Sequence, residues 1–299
     1  MTDMSGTTTT RFPLDAATLQ RLDTLALLSR RTMASGRPGM RRSPVAGASM
    51  EFSDYRRYSP GDDFRRIDWR AYARLERLFL RLFEAEENLT VTVLIDCSDS
   101  MQHSSKAALA TQVAAALAYI ALKSEDSVLV GALTDRLAAY RRAGSGSHAV
   151  WTVGAFLNAL PQAGATDLNR ALSDLGRVIS GPGLTILLSD FLSPGGYQAG
   201  LRSLARLRQE VALVQVLAPD EIEPDIQGDW RLRDSEGFGA LDVSITPAVL
   251  EAYRRRLDDY MKELAAFAHA SAMTYAMARS DTALLDVVQR VLRQVGVVK

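Results

Sequence analysis

Three short polar clusters carry the chemistry available to this sequence: Asp96-Cys97-Ser98-Asp99-Ser100, Gly164-Ala165-Thr166-Asp167 and Ser189-Asp190. The first and third directly follow apolar runs, at residues 90–95 and 184–188, and the second stands just before a helical pattern. Asp96, Asp190, Ser98, Ser100 and Thr166 offer two carboxylates and three hydroxyls, all hard oxygen donors. That set suits magnesium or manganese, with near-octahedral oxygen coordination and some waters retained. Hydroxyls would ligate directly while carboxylates hold the ion's waters. Such an ion stays short of full charge compensation and accepts a carboxylate from another protein as its final ligand. In Asp96-x-Ser98-x-Ser100, alternate side chains leave the strand toward one side. Each residue alone is an ordinary turn or cap former; all three clusters at strand ends and loops together make a site.

Competing chemistries lack parts. Cys97 is the single cysteine, which excludes an intramolecular disulfide and a Cys-rich zinc site. A Cys97 nucleophile needs a base, yet the histidines are only His103, His148 and His269, with no third group to orient one. Neither a Gly-x-Ser-x-Gly elbow nor a Gly-x-x-x-x-Gly-Lys-Ser/Thr loop is present. An aspartyl phosphatase using Asp96 would carry a second Asp two residues on, where this chain has Ser98. A metal-dependent phosphoryl or ester hydrolase using Asp96 is therefore the alternative and not the reading adopted.

The elements that must position these residues follow from patterning. Over residues 14–30, Leu19, Leu22 and Leu25 recur at helical spacing, followed by a Gly-, Ser-, Pro- and Arg-rich loop. A dense segment at 51–70 and a strand at 78–83 complete an N-terminal extension, 1–87, ahead of a main domain, 88–299. From there strands at 90–95, 128–133, 184–188 and 211–217 alternate with helices at 104–122, 148–160, 167–179 and 196–208, and 137–140 pairs beside the second strand. Residues 219–242 form an excursion with a small β element. Thr246 as N-cap and Pro247 then open a long helix with a stripe of Leu250, Tyr253, Leu257, Met261, Leu264 and Ala268. A strand at 272–276 and a helix at 281–292 close the chain. This rhythm predicts an α/β fold with a doubly wound, mainly parallel sheet. In such sheets ligands bind outside the carboxyl ends of the strands, at the switch point.

Bulk properties bound the partners. Formal charge is zero over 299 residues, which argues against coating nucleic acid or an anionic membrane. Basic residues are nearly all Arg, with Lys only at 106, 123, 262 and 299, a bias to which no function is attached. Residues 107–122 are greasy but short for a membrane span, which needs about 20 apolar residues. With no secretory signal visible at 1–12, a cytoplasmic protein is expected. Between residues 55 and 74, arginines interleave with Tyr55, Tyr58, Phe64, Trp69 and Tyr72, a pattern able to grip nucleic acid. Asp54, Asp62, Asp63 and Asp68 sit among them, so an internal salt-bridge network is preferred.

Two resemblances join this reading. Leu94-Ile-Asp-Cys-Ser-Asp-Ser-Met101 resembles the first motif of von Willebrand A domains, which form a metal-ion-dependent adhesion site. The likeness implies that Ser98, Ser100 and Thr166 approach a Mg2+ or Mn2+ ion, with Asp96 and Asp190 acting directly or through water. Tyr55-Arg-Arg-Tyr-Ser-Pro-Gly-Asp-Asp-Phe-Arg-Arg-Ile-Asp-Trp-Arg-Ala-Tyr-Ala-Arg74 looks like the hallmark of the bacterial family called domain of unknown function 58, where it precedes a von Willebrand A-like domain. That likeness implies a non-enzymatic adaptor working with a MoxR-type AAA+ ATPase in assembly or maturation of a complex. Some members carry N-terminal membrane helices; this sequence shows none.

Overall fold

A computed structural model describes residues 12–27, 42–43, 50–59, 62, 64, 67–86, 89–144, 146–161, 164–233, 239–294 and 296–299. Two units emerge, one made of Met1–Leu28 with Leu89–Lys299, the other of Ser29–Asn88. The first helix, α1 (Ala16–Leu22), is capped by Asp15, whose Oδ1 accepts from Thr18 N at 2.8 Å. It ends earlier than its apolar spacing predicts, because Leu27 pairs as an antiparallel bridge with Val298. Asp23 accepts from Tyr119 Oη at 2.7 Å and Lys123 Nζ at 2.8 Å. These contacts correct the domain boundary drawn from sequence. Residues 12–27 belong to the larger unit and not to the extension.

The smaller unit holds β1 (Arg42–Ser43), β2 (Met50–Arg57), helix α2 (Trp69–Leu75) and β3 (Phe79–Glu86), with an antiparallel sheet of order β1-β3-β2. Asp68 caps α2 by accepting from Arg70 N and Ala71 N, and its other oxygen accepts from Tyr55 Oη at 2.8 Å. One acid of the hallmark segment therefore serves as a cap. Much of the expected salt-bridge network, including Arg65 and Arg66, lies outside the described residues. Phe64, Trp69 and Tyr72 are exposed.

The larger unit is built on a six-stranded sheet of β4 (Thr90–Asp96), β5 (Ser127–Leu133), β6 (Leu137–Ala143), β7 (Gly183–Ser189), β8 (Gln209–Leu217) and β11 (Thr274–Arg279). Its order is β11-β8-β7-β4-β5-β6, parallel except for β6 at the edge. This is the doubly wound, mostly parallel α/β fold that the alternating pattern predicts. Its helices are α3 (Lys106–Lys123), α4 (Ser147–Asn158), α5 (Leu168–Leu175), α6 (Gln198–Arg206), the short turn α7 (Pro219–Ile222) and α8 (Pro247–Ala270). A closing run, Leu284–Asp286, passes through a π-helical turn, Val287–Val291, to Leu292–Gln294. Between α7 and α8 the excursion holds an antiparallel hairpin, β9 (Gly228–Arg233) and β10 (Ala240–Ile245).

Two cores cover the two faces of the sheet. Val91, Val93 and Ile95 join α1, α3, α4 and the closing run on one face. Leu94 and Leu187 join α5, α6 and α8 on the other. Strands buried on both faces read as continuous apolar runs, which is why the central ones were legible. The Ala-rich composition of α3 lets it pack close to β4 and β5 with most of its residues buried. Of the apolar stripe of α8 only Leu264 and Ala268 are buried, while Tyr253 is 40% exposed. Among the described residues, no helix is long and apolar enough to cross a membrane.

Candidate metal centre

The strand order reverses between the parallel neighbours β4 and β7, from which successive connections run toward opposite edges of the sheet. Asp96 ends β4 and Asp190 follows β7, so the two carboxylates flank that crevice. Ile95 pairs in register with Leu188, which sets Asp96 level with Ser189. Ser189 Oγ donates to Asp96 Oδ2 at 2.6 Å, and Ser98 N donates to Oδ1 at 3.0 Å. Both carboxylate oxygens are thereby fixed in direction. Burial, reinforced by the Asp190 charge, pushes the Asp96 carboxyl up to about 6 against the hydrogen bonds from Ser189 and Ser98.

Beyond Asp96, Ser98 Oγ and Ser100 Oγ lie 3.1 Å apart. Adjacent oxygens on an octahedral magnesium with bonds of about 2.1 Å stand about 3 Å apart, so this pair suits two neighbouring ligand positions. The 164–167 loop is sewn to the same turn. Asp99 N donates to Gly164 O at 3.0 Å, and Gly164 N returns a bond to Asp99 Oδ1 at 3.1 Å. Gly164 has φ +138°, a backbone region open to glycine, and Thr166 two residues on is buried. Asp167 instead caps α5, accepting from Arg170 N at 3.0 Å. The donor set, hydroxyl oxygens beside carboxylates, fits a hard divalent ion. Among the described residues, no three His, Cys, Asp or Glu side chains form a metal cluster.

Asp190 is engaged differently. Its Oδ1 accepts from Leu192 N at 3.0 Å, while Oδ2 accepts from Lys106 Nζ at 2.9 Å. The same ammonium donates to Glu221 Oε1 at 2.6 Å, and Glu221 Oε2 accepts from Ala218 N at 2.7 Å. Burial opposes the charged lysine, but the Asp190 and Glu221 carboxylates outweigh it and its pKa lies above the ordinary value. Sequence reasoning missed Lys106 and Glu221. The scarcity of lysine was the available signal, since Lys106 is one of four and directly opens the helix after the Asp-x-Ser-x-Ser turn. Glu221 carried no signal, because only tertiary folding brings the turn after β8 to α3.

Some of the left-handed backbone positions among the described residues lie here. Ser104 and Ser105, just before Lys106, have φ +47° and +65°, and Phe191, just after Asp190, has φ +63°. Non-glycine residues in that region cost on the order of 1–3 kcal/mol each, and such costs cluster at functional sites. Phe191 is held there by Ser189 Oγ, which accepts from its N–H at 2.8 Å, and by Tyr260 Oη, which donates to its carbonyl. A cavity of about 540 Å³ opens beside the first loop, lined in part by Asp96, Gln102, Ser105, Gln112 and Asn158.

Cys97 is buried, and desolvation with the adjacent Asp96 charge raises its thiol to about 12. It is a packing residue. The native protein should leave Cys97 unmodified by iodoacetamide at pH 8 over an hour and alkylate fully in denaturant. Rapid native labelling, read by mass spectrometry, would contradict the buried placement.

Fold and site together define a doubly wound α/β protein with a crevice of hydroxyls and carboxylates at its switch point. The chain belongs to the family described as protein of unknown function DUF58, whose model matches residues 54–263. It is 34% identical over 221 residues to an uncharacterized protein of Mycobacterium tuberculosis, covering 71% of this chain and 68% of that one. A second uncharacterized protein, from Mycobacterium avium, is 41% identical over 71 residues, or 23% of this chain and 41% of its own. Among solved structures the chain is similar to the conserved hypothetical protein BatB of Bacteroides thetaiotaomicron, at 14% identity and TM-score 0.42, over 70% of this chain and 98% of that one. An aerotolerance-related membrane protein of Bacteroides fragilis is similar at 15% identity, with the same coverage and TM-score.

Proposed function

We propose that this protein is a metal-dependent, non-enzymatic adaptor whose larger unit works as a von Willebrand A-type domain. Ser98, Ser100 and Thr166 would hold a Mg2+ or Mn2+ ion, with Asp96 and Asp190 as its carboxylates. The observation that carries the reading is the 3.1 Å pairing of the Ser98 and Ser100 hydroxyls beside a fixed Asp96, at the switch point of the sheet. A bound ion supplies an electrophilic coordination position. The chain's own residues orient that position toward the crevice, where a partner's Asp or Glu side chain completes it. The family resemblance points to a MoxR-type AAA+ ATPase as partner, in the assembly or maturation of a further complex.

The test is calorimetric titration of MgCl2 and MnCl2 into the full chain, with and without an acidic peptide, beside a Ser98→Ala, Ser100→Ala double variant. The wild type should show saturable binding, and the double variant should bind at least about tenfold more weakly, since neutral alanine offers no oxygen ligand. No binding by the wild type under either condition overturns the adhesion mechanism. Magnesium-dependent hydrolysis of a generic phosphate ester, lost in Asp96→Asn, would favour an enzyme instead.

A further inference from the structure

Lys106 sits where a lysine is costly. Its side chain has no exposure, and lysine is almost never fully buried unless paired. Removing an ammonium from water carries a penalty that attraction to its partners must repay. The position is also the first residue of α3, where the helix dipole disfavours a cation. The two residues before it hold left-handed backbone conformations. Other buried positions of α3 carry alanine, leucine, valine or isoleucine, so packing alone does not call for a lysine. All these costs serve one ammonium group placed 2.9 Å from Asp190 Oδ2 and 2.6 Å from Glu221 Oε1.

We propose that Lys106 is the resident counter-ion of the metal centre, a positioning residue that acts through Asp190 and limits how strongly the centre takes a divalent cation. The proposal rests on the adaptor reading above. Asp190 and Lys106 cancel as a buried pair, which leaves Asp96 as the net negative charge between the two strand ends. Glu221 is one-fifth exposed and screened by solvent. A divalent ion set against one net negative charge keeps one positive charge unmet, and a partner's carboxylate balances it. Lys106 thus makes tight metal binding conditional on the partner. It also turns Asp190 Oδ2 toward the ammonium, which favours contact with the ion through water. Without Lys106, Asp190 would offer its full charge to the ion and the free protein would hold metal firmly.

The discriminating variants are Lys106→Met, which keeps the length of the side chain, and Lys106→Gln, which keeps a polar donor should the methionine variant fail to fold. Each is titrated with MgCl2 and MnCl2 alone in the full chain, beside the wild type, with folding checked by circular dichroism. The expected result is at least tenfold tighter binding in a folded variant than in the wild type, because a positive charge next to a ligand has been removed. A lysine that only supports the fold gives the opposite sign, with affinity unchanged or reduced along with stability. Wild-type binding with no tightening in either variant overturns the Lys106 proposal and leaves the adaptor reading standing. Failure of the wild type and both variants to bind overturns the metal reading, and this proposal with it. Measurable binding in a variant where the wild type is too weak to quantify supports the proposal.

Discussion

Replacing Asp190 with alanine should destabilise the metal-free protein by about 3 kcal/mol, measured by urea denaturation in excess chelator. The variant leaves the Lys106 ammonium buried with Glu221 as its partner and strips Leu192 N of its acceptor. Breaking a buried pair typically costs roughly 3–5 kcal/mol, because the surviving charge is stranded away from water. Two features hold the value to the low end. Glu221, partly exposed, still gives the lysine a hydrogen-bonded carboxylate, and Asp96 is relieved of the Asp190 charge that raises its pKa. Adding Lys106→Met to Asp190→Ala should recover part of the loss, since no buried ammonium then remains. That non-additivity identifies the pair as the cause. If Asp190→Ala in chelator were as stable as the wild type, the pair would hold no net energy and Asp190 would matter only when metal is present.

Ser189→Ala should cost roughly 2–3 kcal/mol, although only one oxygen is removed. The hydroxyl is fully buried and works twice, donating to Asp96 Oδ2 at 2.6 Å and accepting from Phe191 N at 2.8 Å. Its loss leaves a buried N–H without that acceptor at a residue already in a left-handed conformation, and one donor fewer on a buried carboxylate. Unmade buried hydrogen bonds carry the full desolvation penalty, and those to charged groups carry more. A shifted denaturation midpoint at unchanged slope is the expected signature. Ser189→Ala with wild-type stability would show that water takes the place of the hydroxyl and that the crevice is wetter than its burial indicates.

Local patterning made the scaffold and part of the centre legible. Strands β4, β5, β7 and β8 are covered on both faces, so their side chains are apolar without alternation, and that is visible in any window of the sequence. Thr246 and Asp167 cap helices through bonds to residues three positions away. Asp96, Ser98 and Ser100 share one turn, so their convergence is likewise local. The apolar stripe of α8 shows which face could be buried and not whether another element reaches it.

Sequence by itself determined the alternation of strands and helices, the parallel doubly wound sheet it implies, and the oxygen-rich loops at the strand ends. Each follows from interactions spanning a few residues or from side-chain periodicity. Tertiary structure alone decided that residues 12–27 pack with the larger unit, that Ser189 donates to Asp96, and that Lys106 bridges Asp190 and Glu221. Those contacts join positions separated by 93, 84 and 115 residues in the three bonds Ser189–Asp96, Lys106–Asp190 and Lys106–Glu221. The charge balance of the crevice depends on them. A buried ammonium reads in the sequence as one more surface lysine until the fold removes its water.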